Sequence, residues 1–333
     1  MLGGVVGLAV VGCDAAPAVA AEHQAGVVTP PPGAGEFVAF DVTAVGRLGL
    51  AEVFARVGAV RGAEVAVSVG ASLFDGRFGL REVKPRRLVE MPSFPNDVLE
   101  PGWCHGDVSV QVCGESPQQV IAVVDEMVAL PGLEVRWRMP GFRVDNHVDA
   151  AGKPSTTNLF GFKEGVGNPD EPDVWVGGGE PAWAAGGSYQ VVRLIRMAMP
   201  LWTADSVLRQ EAVFGRSKVS NTAFGRGTET ESPDYAGDPD GLVTPLDAHI
   251  RRANPRTAES MANRILRRGY SYRRETDEGM MFVCYQKDLE RGFVATQKRL
   301  DGEALQKYLL PFGGGYFFTL PGGTLAESLL SPT

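Results

Sequence analysis

Two stretches of this chain set reactive side chains where the backbone leaves room for chemistry. The first runs Asn158-Leu159-Phe160-Gly161-Phe162-Lys163-Glu164-Gly165-Val166-Gly167-Asn168-Pro169, in which three glycines and a proline crowd around one carboxylate, Glu164. Glycine reaches backbone angles closed to other residues and lets the main chain approach a flat ligand. A carboxylate fixed there, beside Leu159, Phe160 and Phe162, has a tunable pKa and suits general acid/base work. A surface turn with Glu164 merely solvated fits the same residues. The second stretch, Asp247-Ala248-His249-Ile250-Arg251-Arg252-Ala253-Asn254-Pro255-Arg256, sets His249 beside three arginines. A neutral imidazole is a metal ligand, and guanidinium groups pair bidentately with carboxylates. A lone histidine is also commonly just solvated. Downstream, Arg264-Ile265-Leu266-Arg267-Arg268-Gly269-Tyr270 brings two adjacent arginines to a strand end. Met280 and Phe282, two apart in a strand, share one face, as pocket lining or as ordinary core.

The elements that must position these groups follow from patterning. The chain has 333 residues, 44% of them apolar and 22% charged, which is the composition of a soluble globular protein of one large or two ordinary domains. Its 42 glycines and 23 prolines point to many turns and long connections. A net charge of −8 and the lack of a basic patch argue against nucleic acid or an anionic membrane surface as partner. Strands are predicted at Glu36–Val42, Val65–Val69, Asp107–Val112 and Leu133–Trp137, with helices near Leu48–Val57 and after Ser116-Pro117. The order is β-α-β-β-α-β. A second set follows: strand Ser188–Met197, helix Asp205–Phe214, strand Gly279–Tyr285, helix Leu289–Leu300 and strand Gly315–Leu320. The glycine-rich insertion Gly215–Pro255 interrupts it, and insertions of that length are usually functional. The fold class expected is α+β: two fused ferredoxin-like halves with antiparallel sheets, packed into one body with a cleft between them.

Residues 1–21 read as the remnant of an export signal and 22–35 as a Pro/Gly-rich linker. The uncharged run Leu2–Gly12 has the length of a signal-peptide core, too short to span a bilayer, and Ala18-Val19-Ala20 fits a cleavage site. The basic segment that should precede it is missing, and twin arginines just upstream would supply it. Val10-Val11-Gly12-Cys13 also loosely fits a lipoprotein site. Either way the protein is expected to be exported. Cys104, Cys113 and Cys284 form no Cys-x-x-Cys pair and read as buried small hydrophobes. His23 and His147 read as solvated, His105 as structural.

The Glu164 loop resembles the Gly-x-x-Asp-Gly signature of the dye-decolourising (DyP-type) haem peroxidases, with Glu in place of the family's Asp. His249 to Arg256 is similar to that family's His-Ile-Arg-x-Ala-Asn-Pro-Arg stretch. Gln24-Ala25-Gly26, Val69–Phe74, Met91–Asp97, His105-Gly106-Asp107 and Phe312–Phe318 resemble further landmarks, so the likeness covers nearly the whole chain after the leader. The resemblance implies one haem per chain, of the b type since no Cys-x-x-Cys-His is present, held in the C-terminal half (173–333) with the distal acidic loop closing the N-terminal half (36–172). It implies His249 as the iron ligand, with Arg251 and Asn254 beside it. Glu303 would accept the other imidazole N–H, though a glutamate at a helix start with no such role also fits. Glu164 and Arg267 (chosen over Arg268) would be the catalytic pair, with Gly165, Met280 and Phe282 around the cofactor. The implied activity is oxidation of dyes, phenolics or other bulky reductants by hydrogen peroxide through a ferryl intermediate. The branch also contains the deferrochelatases of iron uptake, so haem handling is a rival function, and a chlorite-dismutase-like reaction is another. A homodimer and iron-uptake partners stay open, as do the natural reductant and the surface aromatics that would pass its electrons.

Overall fold

Alternating β-branched and aromatic residues build the first strand, β1 (Ala34–Val42), and set the pattern for the N-terminal half. The computed structural model describes residues 23–148, 154–170, 172–323 and 327–330; the expected leader, with Cys13 and its cleavage pattern, lies outside the described residues. After β1 come α1 (Gly46–Val57), β2 (Glu64–Gly70), β3 (Val108–Gly114), α2 (Pro117–Val128) and β4 (Leu133–Phe142). Ser116 starts α2 by accepting the Gln119 N–H, and Pro117 occupies the first turn, where its missing donor costs nothing. The helix buries Val120, Val123, Val124 and Met127, as its spacing predicts. The four strands lie antiparallel in the order β4-β1-β3-β2.

A short ribbon of β5 (Asp145–Val148) and β6 (Pro154–Thr156) leads into the C-terminal half. There β7 (Ser188–Met197) is followed by α3 (Met199–Ala204) and α4 (Val207–Phe214), the latter capped by Ser206. Two short helices, α5 (His249–Ala253) and α6 (Ala258–Ala262), precede β8 (Leu266–Arg267), β9 (Tyr270–Arg273) and β10 (Glu278–Gln286). The single helix expected at Leu289–Leu300 is a π-turn (Glu290–Val294) running into α7 (Ala295–Leu300), and β11 (Leu309–Thr319) completes the set.

The sheets of the two halves are continuous with each other. β2 pairs with β11 (Phe317 opposite Gly70) and β4 with β9 (Phe142 opposite Ser271), while β7 joins β10. The two sheets therefore join edge to edge into a closed ring, which leaves neither half an open outer edge. Strand alternation then decides what goes where. One side chain in two points inward and forms a barrel core that includes Phe37, Met139, Leu194, Met281 and Phe317. A buried polar thread crosses it: Gln190 Nε2 donates to Tyr285 Oη (2.8 Å), which donates to Gln111 Oε1 (2.6 Å).

The N-terminal segment is no free linker. His23, expected to be solvated, stacks on Trp175 with ring centroids 3.7 Å apart, and its Nδ1 lies 2.9 Å from the Gly186 carbonyl. Gln24 Nε2 donates to the carbonyls of Val67 (2.8 Å) and Leu320 (2.7 Å), and its Oε1 accepts the Val67 N–H. His105 is structural, with a left-handed backbone (φ 62°) and a carbonyl that accepts the Trp137 indole N–H. The three cysteines are buried and unpaired; His147 falls on β5, outside the described side chains.

Candidate active site

Outward-facing side chains of the C-terminal strands do not meet packed helices. Arg193, Ile195 and Met197 of β7 and Met280 and Phe282 of β10 instead line a cavity. Met281 and Val283, between and beyond the last two, are fully buried in the barrel, so strand alternation alone turns Met280 and Phe282 to the cavity. Across from the strands, α5, the turns around α7 and the Glu164 loop form the other walls.

His249 opens α5 and faces the cavity, with its Nδ1 2.7 Å from Glu303 Oε2. Glu303 is buried, so this contact orders the ring and reserves the other nitrogen for the cavity. The Phe214 ring, 5.6 Å away, packs beside the imidazole. Asn254 also lines the cavity. Its side-chain oxygen accepts the Arg256 N–H (3.1 Å) and the Ser260 hydroxyl (2.9 Å), which fixes Arg256 in a left-handed backbone (φ 63°).

Arg251 is a correction. Its guanidinium donates to Asp238 Oδ2 (2.9 Å), the Asp238 carbonyl (2.6 Å) and the Thr244 carbonyl (2.8 Å), and lies over the Tyr235 ring. It braces the insertion and does not line the cavity. The reason is helical geometry: two residues on from His249 is about 200° around the helix, on the opposite side. Arg252 likewise turns away, to the carbonyls of Arg299 and Asp301.

In the Glu164 loop, Gly161, Gly165 and Gly167 all take left-handed conformations (φ 83°, 79° and 85°), which a side chain would strain, and the last two line the cavity. An added Cβ at Gly165 would meet only the Asn168 amide at 4.0 Å, so this loop presents bare backbone to the cavity. Asn168 ties the loop to Arg267: its Oδ1 accepts the Arg267 backbone N–H (3.1 Å) and Nε (3.2 Å), and its amide donates to the Arg267 carbonyl (2.8 Å). Arg267 Nη2 donates to the Val166 carbonyl (2.7 Å). Glu164 is half-buried and lines the cavity. Loss of water raises its carboxyl pKa, an effect that Arg143, Arg267 and a bond from Asn158 oppose. Burial likewise pulls Arg267 down, with Glu164 opposing.

Three more arginines complete the lining, of which Arg256 belongs to the stretch after His249. Arg216, Arg256 and Arg264 each carry a buried Nε without a partner, and burial holds Arg216 down to about 10. None has a carboxylate partner among the described residues, whereas Arg193 in the same wall is paired with Asp97. Arg216 lies in no motif, Arg264 only opens the stretch chosen for Arg267, and the fold alone brings the two to one cavity.

The donor set suits haem. A mostly apolar slot takes the flat ring, one imidazole nitrogen is available to its metal, and unpaired guanidinium groups await the carboxylates. Among the described residues, no group of three or more His, Cys, Asp or Glu could hold a bare metal ion. The geometry defines a haem enzyme. Residues 24–143 match the family model described as Dyp-type peroxidase, N-terminal, and residues 155–324 match Dyp-type peroxidase, C-terminal. The chain belongs to the Dyp-type peroxidase family. It is 43% identical over 362 residues to a Deferrochelatase of Yersinia pestis (93% of this chain, 83% of that one) and 42% identical over 350 residues to that of Escherichia coli K12 (90% and 83%). Among solved structures, ferric DtpA from Streptomyces lividans superposes with a TM-score of 0.83 at 30% identity (94% and 96% covered). A DyP-type peroxidase from Cellulomonas bogoriensis gives 0.84 at 31% (93% and 96% covered). The protein is accordingly a peroxidase that uses haem, hydrogen peroxide and a reductant.

Proposed function

We propose that this peroxidase oxidises bulky reductants, with His249 as the iron ligand, Glu303 as its orienting base, and Glu164 and Arg267 as the pair that handles peroxide. The observation that carries this reading is that His249, braced by Glu303, lines one cavity together with Glu164 and Arg267. Haem, when bound, supplies the redox chemistry. Glu164 takes the proton from one peroxide oxygen and returns it to the other, so that water can leave. Arg267, held in place by Asn168 and Val166, stabilises the negative charge that builds on the departing oxygen. Met280 and Phe282 keep water out. Asn254 acts on the lining through Arg256, which with Arg216 and Arg264 would hold the haem carboxylates. Glu164 is one methylene longer than the family's aspartate, and that extra torsion costs on the order of half a kcal/mol to fix.

The test is spectral and kinetic. His249→Ala is expected to lose haem or to show a displaced Soret band; haem bound with an unchanged spectrum would sink the ligand assignment. Glu164→Gln should slow the reaction with peroxide by about a hundredfold, the low end for a positioned proton carrier. An unchanged rate across pH would pass that role to Arg267 and solvent.

A second reading, removal of iron from haem, is supported by the relatives named Deferrochelatase. Release of fluorescent iron-free porphyrin from the loaded protein separates it from peroxidase turnover. Export by the twin-arginine route is also proposed. It is supported by the leader-like first 21 residues, which end just before Gln24 is tied into the fold. No described helix is long and apolar enough to cross a membrane.

A further inference from the structure

The loop that presents Glu164 is a small hairpin. The Asn158 N–H donates to the Phe162 carbonyl (2.9 Å) and the Glu164 N–H to the Thr156 carbonyl (2.8 Å), which sets Thr157 opposite Lys163 in an antiparallel bridge. In a bridge of this kind the N–H groups of the two facing residues point away from each other. The Lys163 N–H therefore leaves the hairpin on its outer side, one residue before Glu164. Gly161 and Gly165 flank it, both left-handed and both with a wide choice of backbone angles, so the hairpin alone does little to fix this peptide.

The insertion meets that N–H. Asn221 Oδ1 accepts it at 3.0 Å, across 58 residues of sequence. Asn221 is buried and sits in a tight turn, where its N–H donates to the Ser217 carbonyl (3.1 Å) and the Ser217 N–H to the Thr222 carbonyl (3.0 Å). A bridge between Arg216 and Ala223 closes the turn. The Asn221 backbone is left-handed (φ 56°), a conformation that asparagine tolerates and most side chains do not. Its carbonyl accepts Arg216 Nη1 (3.4 Å), which braces the turn on a residue of the cavity wall, while Asn221 itself does not line the cavity. A second tie lies beside the first, from Lys163 Nζ to Glu229 Oε1 at 2.6 Å. That pair is partly exposed and holds only the end of a long side chain. The bond to Asn221 holds the backbone. An amide deprived of its acceptor away from bulk water is costly, so without Asn221 the loop would shift to find another.

We propose that Asn221 is a positioning residue for Glu164: by accepting the Lys163 N–H it sets where the carboxyl stands in the cavity. The assignment rests on Glu164 as the proton carrier, as proposed above. Proton transfer needs that carboxyl within hydrogen-bond reach of peroxide or one water away, so a small shift of the loop acts on rate. A misplacement of about 1 Å at a reacting group can cost about a hundredfold. The insertion that carries His249 thereby also sets the acid.

Two variants of the haem-loaded protein separate the bond from the turn that carries it. Asn221→Gly keeps the left-handed angle open and deletes the acceptor, whereas Asn221→Asp keeps both. Amide hydrogen exchange of the peptide spanning 158–168, read by mass spectrometry, should gain a fast-exchanging amide in Asn221→Gly and match wild type in Asn221→Asp. Reaction with hydrogen peroxide, followed by stopped flow, should slow about tenfold in Asn221→Gly, as for a misplacement of well under 1 Å. The haem content and Soret band should stay as in wild type, and Asn221→Asp should recover the rate. In a Glu164→Gln background, Asn221→Gly should cost nothing further, because the group it positions is gone. Unchanged exchange or an unchanged rate in Asn221→Gly, no recovery in Asn221→Asp, or the same loss repeated on top of Glu164→Gln overturns the positioning role and leaves Glu164 as the proton carrier. A wild-type rate in Glu164→Gln alone overturns both.

Discussion

The two halves of this molecule share one strand order and use its outer face in opposite ways. In the N-terminal half, two helices of 12 residues each lie on the sheet and bury Val38, Phe40, Val67, Val110 and Val112 in continuous apolar packing. In the C-terminal half the equivalent helices are short, interrupted or displaced: α3 and α4 replace one, and a π-turn breaks the other. The insertion between them carries His249, and the outer face that helices would otherwise cover becomes the cavity. The duplication thus gives one half that stabilises the barrel and one freed to hold a cofactor. The difference is made in what covers the strands and leaves the strands themselves alike.

The largest test of that contrast is truncation on each face. Phe40→Ala, in the packed half, is expected to cost about 3–5 kcal/mol in denaturant unfolding, because it opens a void in close packing. Met280→Ala, in the cavity half, should cost well under half of that, since the side chain already borders empty space. Equal losses would show that the cavity wall bears as much of the fold as the core does. An intermediate effect is expected for Arg216→Met. The depression of Arg216 from 12.5 to about 10 implies a cost on the order of 3 kcal/mol for keeping a cation without a carboxylate partner there. The haem-free variant should therefore melt higher than wild type while binding haem more weakly. A lower melting temperature would mean that the arginine stabilises the empty cavity.

The smallest effect concerns pH. Glu164 is raised above its usual range, so the fold disfavours its charged form. Its cost to stability is absent below the ordinary carboxylate range and grows as pH rises through the folded value. Glu164→Gln in the haem-free protein should be slightly more stable than wild type at neutral pH, with the difference vanishing in acid. A difference that grows in acid would reverse the assignment.

Much of this was legible in the chain because it is written locally. Strand alternation located Met280 and Phe282, the glycines marked the loop around Glu164, and Ser116-Pro117 marked the start of α2. Glu303 could be named only through resemblance, since nothing local distinguishes it from any helix-end glutamate. Arg251 was placed wrongly because proximity in sequence to His249 was taken for proximity in space, while helical rotation sends it to Asp238. Arg216 was invisible and Arg264 was passed over for its neighbours, as the two reach one cavity only in the folded chain. Barrel closure was hidden for the same reason: the pairing of β2 with β11 joins residues such as Val69 and Phe318 from opposite ends of the chain.

That closure has a temporal side. The N-terminal half leaves the ribosome first, and β2 and β4 are its two outer strands. β4 waits for β9, but β2 waits for Phe317, Phe318 and Thr319, almost the last strand residues to be made. Until then the nascent domain has a well-packed helical face and an unsatisfied row of backbone donors and acceptors along β2, the kind of edge that recruits the wrong strand. The half that looks finished on its own is therefore the half that depends longest on residues not yet synthesised.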